Sequence, residues 1–134
     1  MTTTSKPTFL AVLKAGAIAG GIAAAINAVL FFISRAAGII TDDIFVQPDT
    51  PLTVVPVLAA SIMPLLLGSG VFFLIAKYTE NGYRNFSILA GVLLVLSFGG
   101  PFSIPEVTVP YAIVLNVMHI VAVAALLNRF KAIS

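Results

Sequence analysis

Ala15-Gly-Ala-Ile-Ala-Gly-Gly-Ile-Ala-Ala-Ala-Ile-Asn-Ala-Val-Leu-Phe-Phe-Ile-Ser34 is a run of twenty residues without a charge, held between Lys14 and Arg35, and its apolar character begins near Phe9. An α-helix rises about 1.5 Å per residue, so about 20 apolar residues cross the hydrocarbon core of a bilayer. The rest of the chain repeats the pattern. Thr50 to Ala76, Asn85 to Pro105 and Val107 to Asn128 are equally free of Asp, Glu, Lys and Arg. Four such stretches leave little of the 134 residues over. The expected fold is all-α: one integral membrane four-helix bundle, 1–134, with spans at about 9–35, 51–77, 85–101 and 108–128.

Composition agrees. The chain is 60% hydrophobic and 9% charged, against about 25% charged in a soluble domain. Its net charge of +2 comes from seven scattered basic residues, with no basic run of the kind that tracks nucleic acid. Without Cys there are no disulfides, no thiol chemistry and no Cys-bound metal. Asp42 and Asp43 are adjacent carboxylates, but a hard cation takes six or more oxygen ligands. No metal and no cofactor is expected.

Helix punctuation marks the ends. Thr50-Pro51 reads as a start, since proline is tolerated in a first turn whose N–H lacks a partner. Thr108-Val109-Pro110 repeats the signal. Gly99-Gly100-Pro101 is expected to end or break the third helix. Asn81-Gly82 is a turn dipeptide, placed in a cytoplasmic hairpin at 78–84. Lys6 followed by an apolar stretch resembles a signal peptide, but the run exceeds the 7–15 residues of a signal core, so the first span is expected to be retained.

Orientation follows from Lys and Arg near the helix ends. Lys6, Lys14, Lys77, Arg84, Arg129 and Lys131 fall on one side of a four-span arrangement, and Arg35 alone on the other, with Asp42, Asp43, Asp49 and Glu106. Both termini are therefore expected in the cytoplasm. The outer loop, 36–50, carries Ile39, Ile40, Ile44, Phe45 and Val46. It is expected to lie against headgroups or cap the bundle; a lid over a site is the other reading.

Helices associate in lipid through close packing of small residues and through hydrogen bonds. Gly16, Gly20, Ala24 and Asn27 share one face of the first span. That face fits an internal seam or a contact between copies. Ala60, Pro64 and Gly68 recur at intervals of four in the second span, where Pro64 removes a backbone hydrogen bond near mid-membrane. Ser87, Gly91 and Ser97 form a similar small face in the third.

Intramembrane polar groups are expensive and so carry information. Asn27, Asn116 and His119 are the ones that stand out. Asn116 and His119 are three apart, hence neighbours on the fourth helix. Asn27 and Asn116 fall at nearly the same depth and are expected to bond across an interface. His119 lies about 4–5 Å deeper, expected neutral at pH 7, either as a structural hydrogen-bonding group or as part of a site. Haem ligation has no second axial group in one copy, since the chain has one His and Met118 points about 100° away on the helix. Proton-coupled export lacks an interior Asp or Glu. A lone His without an acid nearby makes a hydrolytic triad improbable.

The Gly/Ala-rich first span ending in Asn27, Thr50-Pro51-Leu52 with Pro56-Val57, and Met118-His119 together resemble a domain-of-unknown-function family of small four-span bacterial membrane proteins. The likeness covers nearly the whole chain through short motifs. It implies a multi-pass protein of the bacterial cytoplasmic membrane and supplies no catalytic residues. The expected function is non-enzymatic: a structural or accessory bundle that self-associates or joins a larger membrane complex. The alternative is a binder or transporter of an apolar molecule, a lipid or quinone, in a cavity lined by Asn27, Pro64, Asn116 and His119.

Overall fold

In a computed structural model, residues 5–134 are described; the first four residues of the expected domain lie outside the described residues. Helix α1 runs Phe9–Ala36, starting where the Thr8 hydroxyl accepts from the Ala11 N–H at 3.2 Å. It ends in a left-handed glycine, Gly38, at φ 74°. Around it the Ile39 N–H donates to Ser34 O at 2.8 Å and the Gly38 N–H to Arg35 O at 3.1 Å, which satisfies carbonyls that the helix end would leave unbonded.

The second span departs from expectation at its start. Thr50–Pro51 does not open a helix but forms a short strand, β2, antiparallel to β1 at Phe45–Gln47. Asp49, at φ 54°, turns the chain between them. Proline is tolerated here because a two-stranded ribbon consists only of edges. Helix α2 then runs Val54–Tyr78, with Pro56 in its first turn and Pro64 inside it. The outer loop expected at 36–50 thus contains a small hairpin, and Ile40 and Ile44 are buried beneath it while Phe45 is exposed.

The hairpin expected at 78–84 is tighter than that. Helix α3 is Gly82–Ser97, leaving only Thr79 to Asn81 as the connection. Glycine permits this: a Cβ at Gly82 would lie 2.6 Å from Ala76 Cα, so the two helices meet backbone to backbone. As expected, the glycine-proline segment breaks the helix after Ser97, and a single turn, α4 at Gly99–Phe102, follows. Helix α5 runs Val109–Ala132, a turn beyond the expected 128. The Thr108 hydroxyl accepts from the Tyr111 N–H at 3.4 Å.

Among the described residues, four helical segments have the length and apolarity to cross a membrane: α1, α2, Gly82–Phe102 and α5. α1 packs on α2 and α5, α3 packs on the same two, and α1 and α3 do not touch. The outer surface is apolar, unlike that of a soluble bundle. Leu10, Leu67 and Leu96 are 73%, 72% and 72% exposed, whereas Ala15, Ala19, Ala23, Ser61 and Ser69 are buried. Small side chains let backbones approach, and many large ones face outward, as suits a lipid-facing surface.

Two apolar clusters divide the interior. At the end where α1 begins and α5 ends, Phe72 stacks on Phe130 at 4.2 Å between ring centroids, and Phe86 meets each edge-on at 5.3 Å. At the opposite end Phe31, Ile40, Ile44, Leu52, Val57, Tyr111 and Met118 pack together. The first end is basic. There Lys6 Nζ donates to Lys77 O at 2.8 Å and Thr79 O at 3.4 Å, covering the carbonyl end of α2, where a cation complements the helix dipole.

Candidate polar cavity between α2 and α5

Between the two apolar clusters lies a polar layer centred on Asn27, which is only 3% exposed. Its position on α1 follows from the small-residue face. A Cβ at Gly16 would collide with Ser69 Oγ, and one at Gly20 would lie 3.4 Å from Ile62 Cα. Gly16 and Gly20 therefore form an internal seam against α2, and with buried Ala24 they draw α1 inward and carry Asn27 into the core. Asn27 Nδ2 donates to Ser61 Oγ at 2.9 Å and to Met118 O at 3.2 Å. Ser61 Oγ in turn donates to Val57 O at 2.7 Å. One amide thus ties α1, α2 and α5 together.

The expected Asn27–Asn116 bond does not form. Asn27 meets Met118, and two positions along a helix turn about 200°, so Asn116 faces elsewhere. Asn116 Nδ2 donates to Phe98 O at 3.2 Å, which covers the carbonyl end of α3. His119 Nδ1 lies 3.5 Å from Ser97 Oγ, at the outer limit of a hydrogen bond. Ser97 Oγ itself donates to Leu94 O at 2.6 Å.

A cavity of about 160 Å³ lies at this level, lined by Asn27, Leu52, Pro56, Ser61, Met118 and His119 among others. Two of the four expected cavity residues, Asn27 and His119, come together there. Pro64 and Asn116 do not line it. Pro64 instead borders an apolar groove of about 310 Å³ with Gly68, Phe86, Leu94 and Ser97. Sequence reading passes over Ser61, which completes the layer; its only signal is a hydroxyl within an apolar run.

The cavity exists because α3 is short. Sixteen residues rise about 24 Å, against about 36 Å for the 24 of α5. Beyond Ser97 the chain continues as α4, which contacts α3 and α5 but, among the described residues, not α2. The α2–α5 interface is uncovered at that level, and Pro56 and Ala60, both lining the cavity, are exposed.

The expected small-residue contacts fare unevenly. Gly68 packs, its Cβ position lying 3.3 Å from Leu126 Cδ2. Gly91 does not: a Cβ there would meet no atom within 4 Å among the described residues. It faces outward on α3 beside Ser87, Ile88 and Val92 in a shallow surface groove. Helical spacing of small residues identifies a face, but not whether this chain covers it.

The acidic end is organised separately. Arg35 and Asp42 form a two-point ion pair, both contacts 2.8 Å. The guanidinium holds the Asp42 carboxyl below the usual carboxylate range. Among the described residues no three His, Asp or Glu side chains gather as a metal-ligand set.

Residues 7–132 match the model of a family of unknown function, DUF6069. Neither the curated proteins nor the solved structures contain a match.

Proposed function

We propose, for a chain that belongs to the DUF6069 family of unknown function, that it crosses the bacterial cytoplasmic membrane four times with both termini inside and binds a small, largely apolar molecule in the cavity between α2 and α5. One observation carries the binding reading. A cavity of about 160 Å³ opens between α2 and α5 beside the exposed Pro56 and Ala60, and the buried Asn27 and Ser61 with the half-buried His119 give its otherwise apolar lining a few polar groups. The uncovered interface beside Pro56 and Ala60 is the route in. The lining residues are suited to holding a molecule rather than transforming it: His119 has no acid beside it, so the protein acts as a binder without chemistry.

The orientation is supported by charge. Lys6, Lys77, Arg84, Arg129 and Lys131 lie at the end where α1 begins and α5 ends, which the positive-inside rule assigns to the cytoplasm. Native mass spectrometry of protein extracted in mild detergent tests the binding reading. A retained adduct of lipid or isoprenoid mass, lost in Asn27→Leu, is the expected result; a bare chain in the wild type overturns it.

A second reading is favoured by a different surface. Gly91, Ser87, Val92, Val95 and Leu96 form an outward face of α3 that the chain leaves open, suited to a second copy or a larger membrane complex. The same spectra bear on it, since a stable dimer that Gly91→Leu dissociates is its expected signature.

A further inference from the structure

Two hollows lie along the seam of α2 and α5, and one follows the other. The cavity at the level of Asn27 takes Ala60 and Ser61 from α2 and His119 and Ala122 from α5. The apolar groove takes Pro64, Leu65 and Gly68 from α2 and Val123 and Leu126 from α5. Residues four apart stand one above the other on a helix face. Ala60 and Pro64, Ser61 and Leu65, and Ala122 and Leu126 are three such pairs, each with one member in the cavity and the other in the groove. What changes between them is the third wall. Beside the groove α3 covers the seam with Phe86, Ala90, Leu93 and Ser97; beside the cavity α3 has ended. Ser97, its last residue, lies 3.5 Å from His119 across this boundary, so the two hollows adjoin.

We infer that cavity and groove form one elongated site, and that its occupant carries a small head at the level of Asn27 and a single apolar chain laid under α3. This rests on the binding reading above and adds the chain to it. The groove suits a chain because Ser97 is the one polar side chain among its lining residues, and the Ser97 hydroxyl is already used on Leu94 O at 2.6 Å. Entry needs no threading from an end. Val71 and Leu93 both line the groove and are exposed, so the chain slips in sideways from the bilayer between α2 and α3.

The groove also sets the length of the chain. Its far end is Phe86, whose ring packs edge-on against Phe72 and Phe130. The same end is narrow, since a Cβ at Gly68 would lie 3.3 Å from Leu126 Cδ2. From Phe86 to Ser97 α3 rises about 16 Å at about 1.5 Å per residue. Carbon bonds of about 1.5 Å at tetrahedral angles advance about 1.3 Å each, so about twelve carbons fill that length. Volume agrees. The groove's 310 Å³ holds about ten units of the size of a water, about 30 Å³ each, and a methylene is close to that size. One chain fits and two do not.

The test uses the full chain in lipid nanodiscs with two primary alkanols as probes, one of six carbons and one of twelve, each ending in a diazirine and present at the same mole fraction of the bilayer. Their heads are small and uncharged, and after irradiation peptide mass spectrometry reads where each chain end lies. The twelve-carbon probe is expected to label Phe86, Gly68 and Leu126 at least fivefold above Leu67 and Val92, which are exposed at similar depth. The six-carbon probe is expected to label Leu115 and Ala122 in the cavity. Ala90→Leu and Val123→Phe fill the groove from α3 and from α5. Each is expected to cut the twelve-carbon label at Phe86 at least fivefold and to leave the six-carbon label unchanged, with thermal unfolding confirming the fold. Twelve-carbon labelling of Phe86 no stronger than that of Leu67 and Val92, with the six-carbon probe still in the cavity, overturns the elongated site and leaves the binding reading standing. Undiminished labelling of Phe86 in the two variants overturns it likewise. Labelling of neither hollow above the level of Leu67 and Val92 by either probe overturns both.

Discussion

Gly16→Ala adds one methyl where α1 packs directly on Ser69 and Leu65 of α2. The new Cβ falls on the position of Ser69 Oγ, with Ser69 Cβ 3.0 Å and Leu65 O 3.3 Å away. Ser69 has little freedom to yield: it is fully buried, and its hydroxyl donates to Leu65 O at 2.8 Å. The helices must separate or Ser69 must leave its rotamer, and overpacking of this kind costs about 1–3 kcal/mol. The overlap with Ser69 Oγ puts the cost at the upper end of that range, and alanine recovers up to about 1 kcal/mol over glycine in helix propensity, so the net loss is about 2 kcal/mol. Ser69→Gly removes both colliding atoms. The double variant Gly16→Ala/Ser69→Gly should therefore be more stable than the sum of the singles by about 1–2 kcal/mol, within the range of coupling between touching residues. The assay is reversible unfolding in mixed micelles followed by far-ultraviolet circular dichroism. Wild-type stability in Gly16→Ala, or strict additivity in the double variant, refutes the internal seam. A change from dimer to monomer without any change in chain stability would move the glycines to a contact between copies.

Further outcomes follow from other positions. Gly82→Ala places a Cβ 2.6 Å from Ala76 Cα and 3.2 Å from Ala76 N; backbone cannot swing aside, so a loss at the upper end of about 1–3 kcal/mol is expected in the same unfolding assay. Asn27→Ala removes two hydrogen bonds that tie three helices, each worth about 0.6 kcal/mol in a membrane protein, and unfolding should report about 1 kcal/mol lost. For the exposed Arg35–Asp42 pair the sign comes from the depressed Asp42 carboxyl. Its small contribution is present above the unfolded value of about 3.9 and lost as the pH falls through the lower folded value, so Asp42→Asn and wild type should differ at pH 7 and converge toward pH 2. The chain has no Cys, so single cysteines report topology directly. Asp43→Cys should react with an impermeant maleimide on intact cells and Ser134→Cys only after lysis; the reverse pattern would invert the orientation.

The four long helices were readable because the length that a bilayer demands acts on sequence position alone. Phe9 as the start of α1 and Thr108 as the cap of α5 are local signals, and both stand. Where the ends differ, the deciding contact is distant in sequence or in shape. Thr50-Pro51 carries a sound helix-start signal, yet it pairs with Phe45–Gln47 across the left-handed Asp49, and helix propensity has no term for that pairing. Gly82 begins α3 early because it can touch Ala76, a fact about two backbones.

Faces were harder to read than lengths, for a reason particular to lipid. In water a helix declares its inner face by polarity, but here both faces are apolar and only residue size and rare polar groups distinguish them. Size alone equates Gly16, which packs on α2, with Gly91, where an added Cβ would meet no atom within 4 Å among the described residues. Polar groups inform better, since each must find a partner: Asn27 and His119 were both marked by their cost, and both line the cavity. Their partners were not marked, because a hydroxyl such as Ser61 can bond its own helix and a backbone carbonyl such as Met118 O leaves no trace in sequence. The opening beside them depends on where a neighbouring helix stops. Gly99-Gly100-Pro101 is legible as a break, but its consequence is to uncover the interface of two other helices at the level of Asn27. The site is thus set jointly by a polar residue on α1 and a termination signal on α3, two helices that never meet.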